Sequence, residues 1–375
     1  MIHIDQTTEI LLYAFFICWI IQMFYYLFVY SRFLRYKNKN ENTTESLPPV
    51  SVVICAKNEA ENLKKYLPLI LEQDYPDFEV IVVDDCSTDE TNDILNNFKE
   101  KYPQLKSTFL KEQEKFSHGK KLALTIGIKA AKNEWLVLTD ADCYPVTNQW
   151  LKSIATHYNE HTSIVLGYGG YEIKKGFLNK LIRYESAIIA LQYFSYALCG
   201  VPYMGVGRNL SYRSSLFFNN KGFASHAKLD SGDDDLFVNE TATRTNVDIE
   251  PFFKAHTRSA PSEKFSKWID QKKRHFTTFK KYKRLHKLLL GLEIFSRVFF
   301  YFLFILLLIF KINFTVVLSL FLFRTIVQMI IYKKTFKLFN ERKIFLISFI
   351  FDIIFPFINL SIYLSNRIKP QKRWR

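Results

Sequence analysis

The chain has 375 residues, of which 49% are hydrophobic and 17% aromatic, so a disordered protein is excluded. The formal net charge of +15 is concentrated in residues 31–40, 264–287, 333–343 and 367–375, next to apolar tracts, and the remainder is mildly acidic. This distribution is typical of membrane flanks that contact anionic lipids, and it argues against a partner of the nucleic-acid class.

The first predicted element is a transmembrane helix at residues 10–30, an uncharged and aromatic-rich run. At about 1.5 Å per residue it matches the roughly 30 Å hydrocarbon core of a bilayer. Acidic residues precede it, and a basic juxtamembrane linker at 31–49 follows it. The positive-inside tendency therefore predicts that the N-terminus lies outside and the bulk of the chain in the cytoplasm. Together with the C-terminal apolar tracts described below, this helix predicts a multi-pass protein of the cell membrane.

Short apolar strands alternate with helices through residues 50–260. Strands are predicted at 50–55, 78–83 and 135–139, and helices at 59–71, 89–101, 119–131 and 149–158. This order predicts an α/β domain with a mostly parallel, Rossmann-like sheet and helices on both faces. Its ligand site should lie at the carboxyl ends of the strands.

Two acidic motifs directly follow predicted strands. Asp140 and Asp142 could share one Mg²⁺ or Mn²⁺ ion that keeps open positions for phosphate oxygens, which suits a pyrophosphate. Asp84 and Asp85 follow the second strand. The alternative for both pairs is a solvated turn, with Ser87 or Thr88 capping the next helix in the case of Asp84 and Asp85.

A third acidic motif, at residues 231–236, packs Asp233, Asp234 and Asp235 together after a glycine. Repulsion between like charges should raise the pKa of at least one carboxyl, as a general base requires. The alternative is an acidic helix N-terminus that the helix dipole stabilises.

A basic region at 261–291 is predicted to form interfacial helices. Gln271, Arg274 and His275 lie on one helical face, and such a face could hold a pyrophosphate because arginine offers a bidentate fork. A basic amphipathic helix resting on anionic lipid is the alternative, and both could hold at once.

The C-terminal region at 292–365 contains apolar tracts at 292–310, 312–332 and 344–364, of which the first two should form a hairpin of helices. Arg324 and Asp352, taken as single charges within these spans, would lie at one depth in antiparallel helices, so an ion pair is predicted. The alternative places one or both segments in the interface, with the charges hydrated.

The third of these tracts has basic residues on both sides, including the tail at 366–375. A segment that crosses once cannot have both flanks inside. Either the tail departs from the positive-inside tendency, or the segment re-enters at Pro356.

Seven motifs resemble, in their order, the landmarks of membrane-bound family-2 glycosyltransferases with the GT-A fold, and the resemblance covers about residues 50–280. They are residues 50–59, residues 83–89, Gly119-Lys120, Asp140-Ala141-Asp142, Gly207-Arg208-Asn209, Gly232-Asp233-Asp234 and Gln271-x-x-Arg274. The resemblance implies a mixed GT-A sheet and an inverting transfer of a sugar from a nucleotide-diphosphate donor.

The resemblance also implies roles for individual residues. Asp85 would hold the nucleobase with Asp84 beside it, Asp142 and Asp140 would hold the metal, and Asp234 would be the general base. Because the acidic cluster is one residue shorter than the commoner spacing, Asp233 and Asp235 stay open as the base. The further candidates for contacts to the donor are Glu59, Lys120, Arg208, Gln271, Arg274 and His275.

The acceptor is predicted to be a hydroxyl or phosphate on a lipid-linked glycan or a polyprenyl carrier. His275 stands where the family commonly has tryptophan, which argues against processive synthesis. A processive polysaccharide synthase and a non-catalytic membrane scaffold with a transferase-like domain are the alternatives.

Overall fold

The computed structural model describes residues 2–37, 47–111 and 119–368. Part of the predicted linker, at 38–46, and most of the basic tail, at 369–375, lie outside the described residues.

The strands of the described residues are β1 (Val50–Ala56), β2 (Phe78–Asp85), β3 (Leu105–Leu110), β4 (Trp135–Asp140), β5 (Cys143–Pro145), β6 (Ile164–Gly167), β7 (Gly169–Tyr171), β8 (Leu210–Arg213), β9 (Val247–Glu250) and β10 (Thr257–Ser259). The α-helices are α1 (Ile2–Phe24), α2 (Ser31–Arg35), α3 (Ala60–Leu71), α4 (Thr91–Lys101), α5 (Lys120–Ala130), α6 (Trp150–Ala155), α7 (Phe177–Leu198), α8 (Ser214–Asn219), α9 (Asp235–Thr241), α10 (Phe265–Thr278), α11 (Arg284–Ile309), α12 (Phe314–Leu338) and α13 (Phe345–Ile368). A π-helical turn at Tyr25–Tyr30 joins α1 to α2, and short 3₁₀ turns lie at Ala224–His226, Phe253–Ala255 and Phe279–Lys281.

The main sheet has seven strands in the order β3-β2-β1-β4-β8-β6-β9. Only β8 runs antiparallel to its neighbours, so the sheet is mixed and mostly parallel, as predicted. A second sheet, β5-β10-β7, has three short strands. The predicted strands and helices agree with the structure to within three residues at each end.

Both faces of the main sheet are covered, which explains why its strands are continuous apolar runs. On β1, Val52 and Ile54 belong to the core that contains residues of α3 and α6. Val53 points to the opposite face and packs with residues of α5 and α7. The 22-residue helix α7, which the sequence argument did not predict, contacts this sheet, the π-helical turn, α12 and α13.

A buried histidine links α6 to the edge strand β9. His157 contacts Asp248 at 2.9 Å and Glu250 at 3.0 Å through its two ring nitrogens. Burial alone would lower the pKa of His157, but these two carboxylates raise it to about 9. The Tyr36 hydroxyl, just beyond α2, donates to Asp248 at 3.3 Å, so the same cluster ties the N-terminal helix to the sheet.

Four helical segments are long and apolar enough to cross a membrane: Gln6–Arg35, Arg284–Ile309, Phe314–Leu338 and Phe345–Asn366. The first of the C-terminal helices begins at Arg284, well before the apolar tract that predicted it. α13 continues through Pro356 without interruption, so the chain does not reverse its direction at that residue.

Charged side chains join the C-terminal helices in the interior of the protein. Arg324 Nη2 lies 3.2 Å from Asp352 Oδ2, and both residues are fully buried. The predicted ion pair is confirmed, and the alternative of hydrated charges is wrong. The description of these two as single charges is also wrong, because Arg297 and Glu293 of α11 belong to the same cluster. Gln22 of α1 accepts from Arg324 at 3.0 Å, which connects the first helix to the last three.

Candidate active site

The carboxyl ends of β1, β2 and β4 lie side by side at one edge of the main sheet. In the register of these parallel strands, Ala56 is the partner of Asp84, and Cys55 is the partner of Asp140. Since β1 lies between β2 and β4, the acidic ends of the two outer strands flank it. The fold therefore brings two of the acidic motifs to the same edge.

Asp84 and Asp85 are almost fully buried at this edge. Asp84 Oδ1 accepts from the backbone N–H of Ser87 at 3.0 Å, within a turn where Cys86 has a φ of +60°. The chain does turn here, but the two aspartates are buried rather than solvated, and neither Ser87 nor Thr88 caps α4, whose N-cap residue is Glu90. Neither aspartate lines the large cavity described below, so a nucleobase-binding role for them stays a prediction.

Glu59 lies close to the metal-site carboxylates. Its Oε2 accepts from Asn62 at 2.6 Å. Burial raises the pKa of Glu59, and repulsion from Asp142 and Asp140 adds to the shift.

Asp140, Asp142 and Cys143 form a possible metal centre. One ligand atom from each lies within 4.8 Å of the others. Burial and the nearby Asp140 raise the pKa of Asp142, the direction expected where two carboxylates share one site. Two carboxylates of this kind are ligands that Mg²⁺ and Mn²⁺ accept, so the residues fit such an ion.

Lys120, the first residue of α5, connects the metal-site motif to the acidic cluster. Its ammonium lies 2.8 Å from Asp140 Oδ1 and 2.9 Å from Asp233 Oδ2. The sequence predicted Lys120 as a contact to the donor. In the structure, it stands between two carboxylates, where it offsets part of their charge.

The three aspartates of the acidic cluster have different partners. Asp233 pairs with Lys120. Asp235 Oδ2 accepts from the hydroxyl of Tyr282 at 2.8 Å and that of Thr278 at 2.5 Å, which fixes it to the end of α10. Asp234 caps α9 and accepts only backbone N–H groups among the hydrogen bonds of the described residues.

The partners of Asp234 are the N–H groups of Gly207 and Asp235, each at 2.7 Å. Burial raises the pKa of Asp234 to about 7, with repulsion from Asp233 and Asp235 as further causes. Burial has the same direction of effect on Asp233, but Lys120 outweighs it and lowers that pKa. Burial raises the pKa of Asp235 as well, but its carboxylate accepts from the hydroxyls of Thr278 and Tyr282, whereas Asp234 contacts backbone N–H groups.

A cavity of about 1120 Å³ joins these groups. Its polar end is lined by Asp140, Asp142 and Asp234, and it continues between α7 and α10 to the start of α11. At the far end its wall includes Leu290 and Ile294, which lie one turn apart on α11.

Arg208 lies in the cavity wall next to the metal-site motif. Its guanidinium stacks 4.2 Å from the ring centre of Tyr171 and donates to Gly170 O at 3.4 Å and Ser259 Oγ at 3.3 Å. Gln271 of α10 donates to the Tyr171 hydroxyl at 3.4 Å. The sequence argument did not identify Tyr171, because a lone tyrosine at a short edge strand carries no distinctive pattern.

Helix α10 presents Gln271, Arg274 and His275 to the cavity, as its helical spacing predicted. Trp268 and Lys272 line the same cavity from α10, and both are mostly buried by their contacts with Glu185 of α7. Part of this basic helix therefore packs on protein rather than on lipid. Glu185 was missed because its partners lie more than eighty residues away in the chain.

Residues 51–218 match the model of the family described as Glycosyl transferase family 2. The chain contains a family-2 glycosyltransferase domain. The resemblance found in the sequence motifs is therefore confirmed, and so are the α/β fold class and the assignment as a glycosyltransferase.

Individual relatives of this family-2 chain match it over different lengths. The chain is 39% identical to glycosyltransferase AglE of Haloferax volcanii over 111 residues, which is 29% of this chain and 35% of AglE. It is 25% identical to the UDP-Glc:alpha-D-GlcNAc-diphosphoundecaprenol beta-1,3-glucosyltransferase WfaP of Escherichia coli over 233 residues, which is 59% of this chain and 83% of WfaP. The match thus spans about a third of the length of AglE and most of that of WfaP.

Among solved structures, the mannosyltransferase PcManGT of Pyrobaculum calidifontis, in complex with GDP-Man and Mn²⁺, has a TM-score of 0.59 to this chain. The two are 18% identical, and the superposition covers 92% of this chain and 98% of PcManGT. At this identity the likeness shows a shared fold.

Proposed function

We propose that this family-2 protein transfers a sugar, with inversion, from a nucleoside-diphosphate donor to an acceptor carried on a membrane lipid. One observation carries the proposal: a single cavity runs from Asp140, Asp142 and Asp234 to Leu290 and Ile294 on a membrane helix. In such a cavity a water-soluble donor can enter from the aqueous side, while the lipid part of the acceptor stays in the bilayer.

The donor half of the cavity has the charges that a sugar diphosphate needs. Asp140 and Asp142 would hold Mg²⁺ or Mn²⁺, which when bound neutralises the charge that develops on the leaving diphosphate. Lys120, Arg208 and Arg274 line the same cavity and would contact the phosphate oxygens. Together with Gln271, His275 and the edge residues Glu59, Asp84 and Asp85, they form the proposed donor site.

Asp234 is the proposed general base. Its carboxylate would accept the proton of the acceptor oxygen as that oxygen attacks the anomeric carbon opposite the leaving diphosphate. Two backbone N–H groups fix the orientation of this side chain, and its raised pKa of about 7 makes it a stronger base than an ordinary aspartate. Asp233 would act through Lys120, on the donor side.

The acceptor half of the cavity is walled largely by apolar and aromatic side chains. Ile182 and Ile189 of α7 face it, together with Tyr203 and the two residues of α11. These surfaces suit a hydrocarbon chain, and the printed name of WfaP includes a lipid-diphosphate-linked sugar as acceptor. The interior between the membrane helices is occupied by the buried Arg324 and Asp352, which favours single transfers over passage of a polymer.

The proposal places the enzyme in the cell membrane with its transferase domain in the cytoplasm. Basic residues at the end of α2 and near the end of α12, on the side of that domain, support this orientation and contact with anionic lipids. Residues 50–260 would form the transferase domain, 261–291 the interfacial helices and 292–365 the C-terminal membrane helices.

The test uses the full chain, purified in detergent with Mn²⁺ or Mg²⁺ and a panel of nucleotide sugars. Polyprenyl phosphate and polyprenyl-diphosphate-linked GlcNAc serve as acceptors, and the assay measures both nucleoside-diphosphate release and labelled lipid product. One donor should give release that depends on a lipid acceptor. Release from no donor with either acceptor would contradict the proposal.

A matched pair of variants tests the path to the membrane. Leu290→Trp should narrow the cavity, because the indole is larger than the leucine side chain. Transfer to a long-chain acceptor should then fall by about tenfold or more, which corresponds to a loss of roughly 1.4 kcal/mol or more in free energy. Leu292→Trp changes a residue of the same helix that does not line the cavity, and it should leave transfer unchanged. Equal effects of the two variants, or an equal loss with a short-chain acceptor, would refute the path.

A further inference from the structure

The turn before helix α13 is anchored inside the transferase domain. Glu341 has a fully buried side chain that accepts from Arg183 Nε of α7 at 2.7 Å and from the Tyr168 hydroxyl at 3.0 Å. It also pairs with Arg258 of β10. The neighbouring Phe339 is fully buried and stacks on Tyr168 with ring centres 4.1 Å apart. The N-terminal end of α13 therefore lies at the transferase domain.

The other end of α13 also lies at the transferase side of the molecule. Asn366 Nδ2 donates to the backbone oxygen of Lys273 at 2.9 Å, and Tyr363 contacts Phe276 with ring centres 6.2 Å apart. Lys273 and Phe276 belong to α10, the helix that presents Arg274 to the active-site cavity.

The middle of α13 makes contacts of the same kind. Tyr184 of α7 meets Phe351 at 5.3 Å and Phe355 at 6.0 Å between ring centres. Phe355 also lies 5.6 Å from the ammonium of Lys272 on α10. Contacts to the transferase side are thus distributed along most of α13, to α7 at Phe351 and Phe355 and to α10 from Phe355 to Asn366.

A helix that crosses the bilayer cannot make this series of contacts. Its 24 residues are about 36 Å long, so one end of a crossing helix would lie roughly 30 Å from the transferase side. Contacts to that side at both ends require the axis to run along the membrane surface. We infer that α13 does not cross the membrane but lies in its plane, within the leaflet next to the transferase domain.

The face of α13 that turns away from the protein is apolar. Its large side chains are between 50% and 83% exposed and recur at helical spacing: Leu346, Ile350, Phe357, Leu360 and Leu364. The opposite face contributes Asp352 to the buried cluster with the membrane helices α11 and α12. Because this exposed face continues from those helices, its occupant is lipid hydrocarbon.

The in-plane position also resolves the conflict in the sequence. The segment has basic residues on both sides, Arg342 and Lys343 before it and the tail after it. Both flanks can satisfy the positive-inside tendency only if they lie on the same side of the membrane.

The number of crossings gives a direct test on the full chain. With α1, α11 and α12 crossing and α13 in the plane, the two ends of the chain lie on opposite sides. Reporters that are active on only one side, such as a fluorescent protein and alkaline phosphatase, are fused separately to the N-terminus and to Arg375. Opposite sides are expected, and termini on the same side would overturn the inference.

Cysteine labelling provides a second measurement that needs no fusion. In a background without the five native cysteines, Ser365→Cys at the end of α13 should react with a membrane-impermeant maleimide from the same side as Lys129→Cys on α5. Phe310→Cys, at the turn between α11 and α12, should react from the other side. Labelling of position 365 together with position 310 would overturn the inference. Neither measurement requires sugar transfer, so its outcome is independent of the proposed function.

Discussion

Replacement of Asp234 by asparagine tests the assignment of the general base. The amide keeps the size of the side chain and can still accept one of the two backbone hydrogen bonds, from Gly207 and Asp235, that hold the carboxylate at 2.7 Å. It cannot take up a proton. General-base catalysis typically contributes about 10²–10⁴-fold. Turnover should fall by this factor, which corresponds to about 3–5 kcal/mol of activation free energy.

The pH dependence gives the sign of the effect. The base must be ionised to act, and burial raises the pKa of Asp234 to about 7, so wild-type turnover should rise with pH up to about 7 and then level off. The Asp234→Asn variant should lose this rise while donor affinity, measured by calorimetric titration, stays within about threefold. Asp233→Asn is the matched control, and it should weaken donor binding more than turnover because Asp233 pairs with Lys120.

The assay is the initial rate of nucleoside-diphosphate release with the best donor and a lipid acceptor, across the pH range. An Asp234→Asn variant that keeps more than about a tenth of wild-type turnover would refute the assignment. Loss of the rise with pH in Asp233→Asn instead would assign the base to Asp233.

Three further predictions follow from the structure. Chelation of the metal should abolish transfer, and addition of Mn²⁺ or Mg²⁺ should restore it. Asp142→Asn should raise the metal concentration needed for activity by more than the roughly 10–100-fold that is typical when a group hydrogen-bonded to a metal ligand is lost. Unchanged metal dependence would remove Asp142 from the site. Asp352→Asn should destabilise the protein by about 3–5 kcal/mol, because it leaves two buried guanidinium groups without their shared carboxylate. Its Tm in detergent should therefore fall further than that of Arg324→Met. A larger loss in Tm for Arg324→Met would contradict this account. The positive charge of His157 stabilises the fold fully below about pH 6.5, and this stabilisation is lost as the pH rises through about 9. The Tm should therefore fall over that range, and less steeply in His157→Gln than in the wild type. Parallel profiles of Tm against pH for the two proteins would show that His157 does not titrate there.

The order of strands and helices could be predicted because it depends on local patterns. The runs that became β1, β2 and β4 are mostly apolar, and the acidic residues that end β2 and β4 mark the carboxyl edge of the sheet. The pair between Arg324 and Asp352 was predicted from an antiparallel arrangement that an in-plane α13 does not have, and it forms nonetheless because a charge within an apolar segment needs a partner. Glu293 and Arg297 were overlooked although they lie in the same apolar tracts, and only their contacts showed that they share the cluster.

The sequence by itself determined the family, the sheet, the acidic motifs and the apolar segments, because each is encoded in residues close together in the chain. The tertiary structure decided which groups contact Asp233, Asp234 and Asp235. Their partners Lys120, Gly207 and Tyr282 come from other parts of the chain. It also decided the path of α13, because composition fixes only that a helix is apolar, whereas contacts at both ends fix its direction in the membrane.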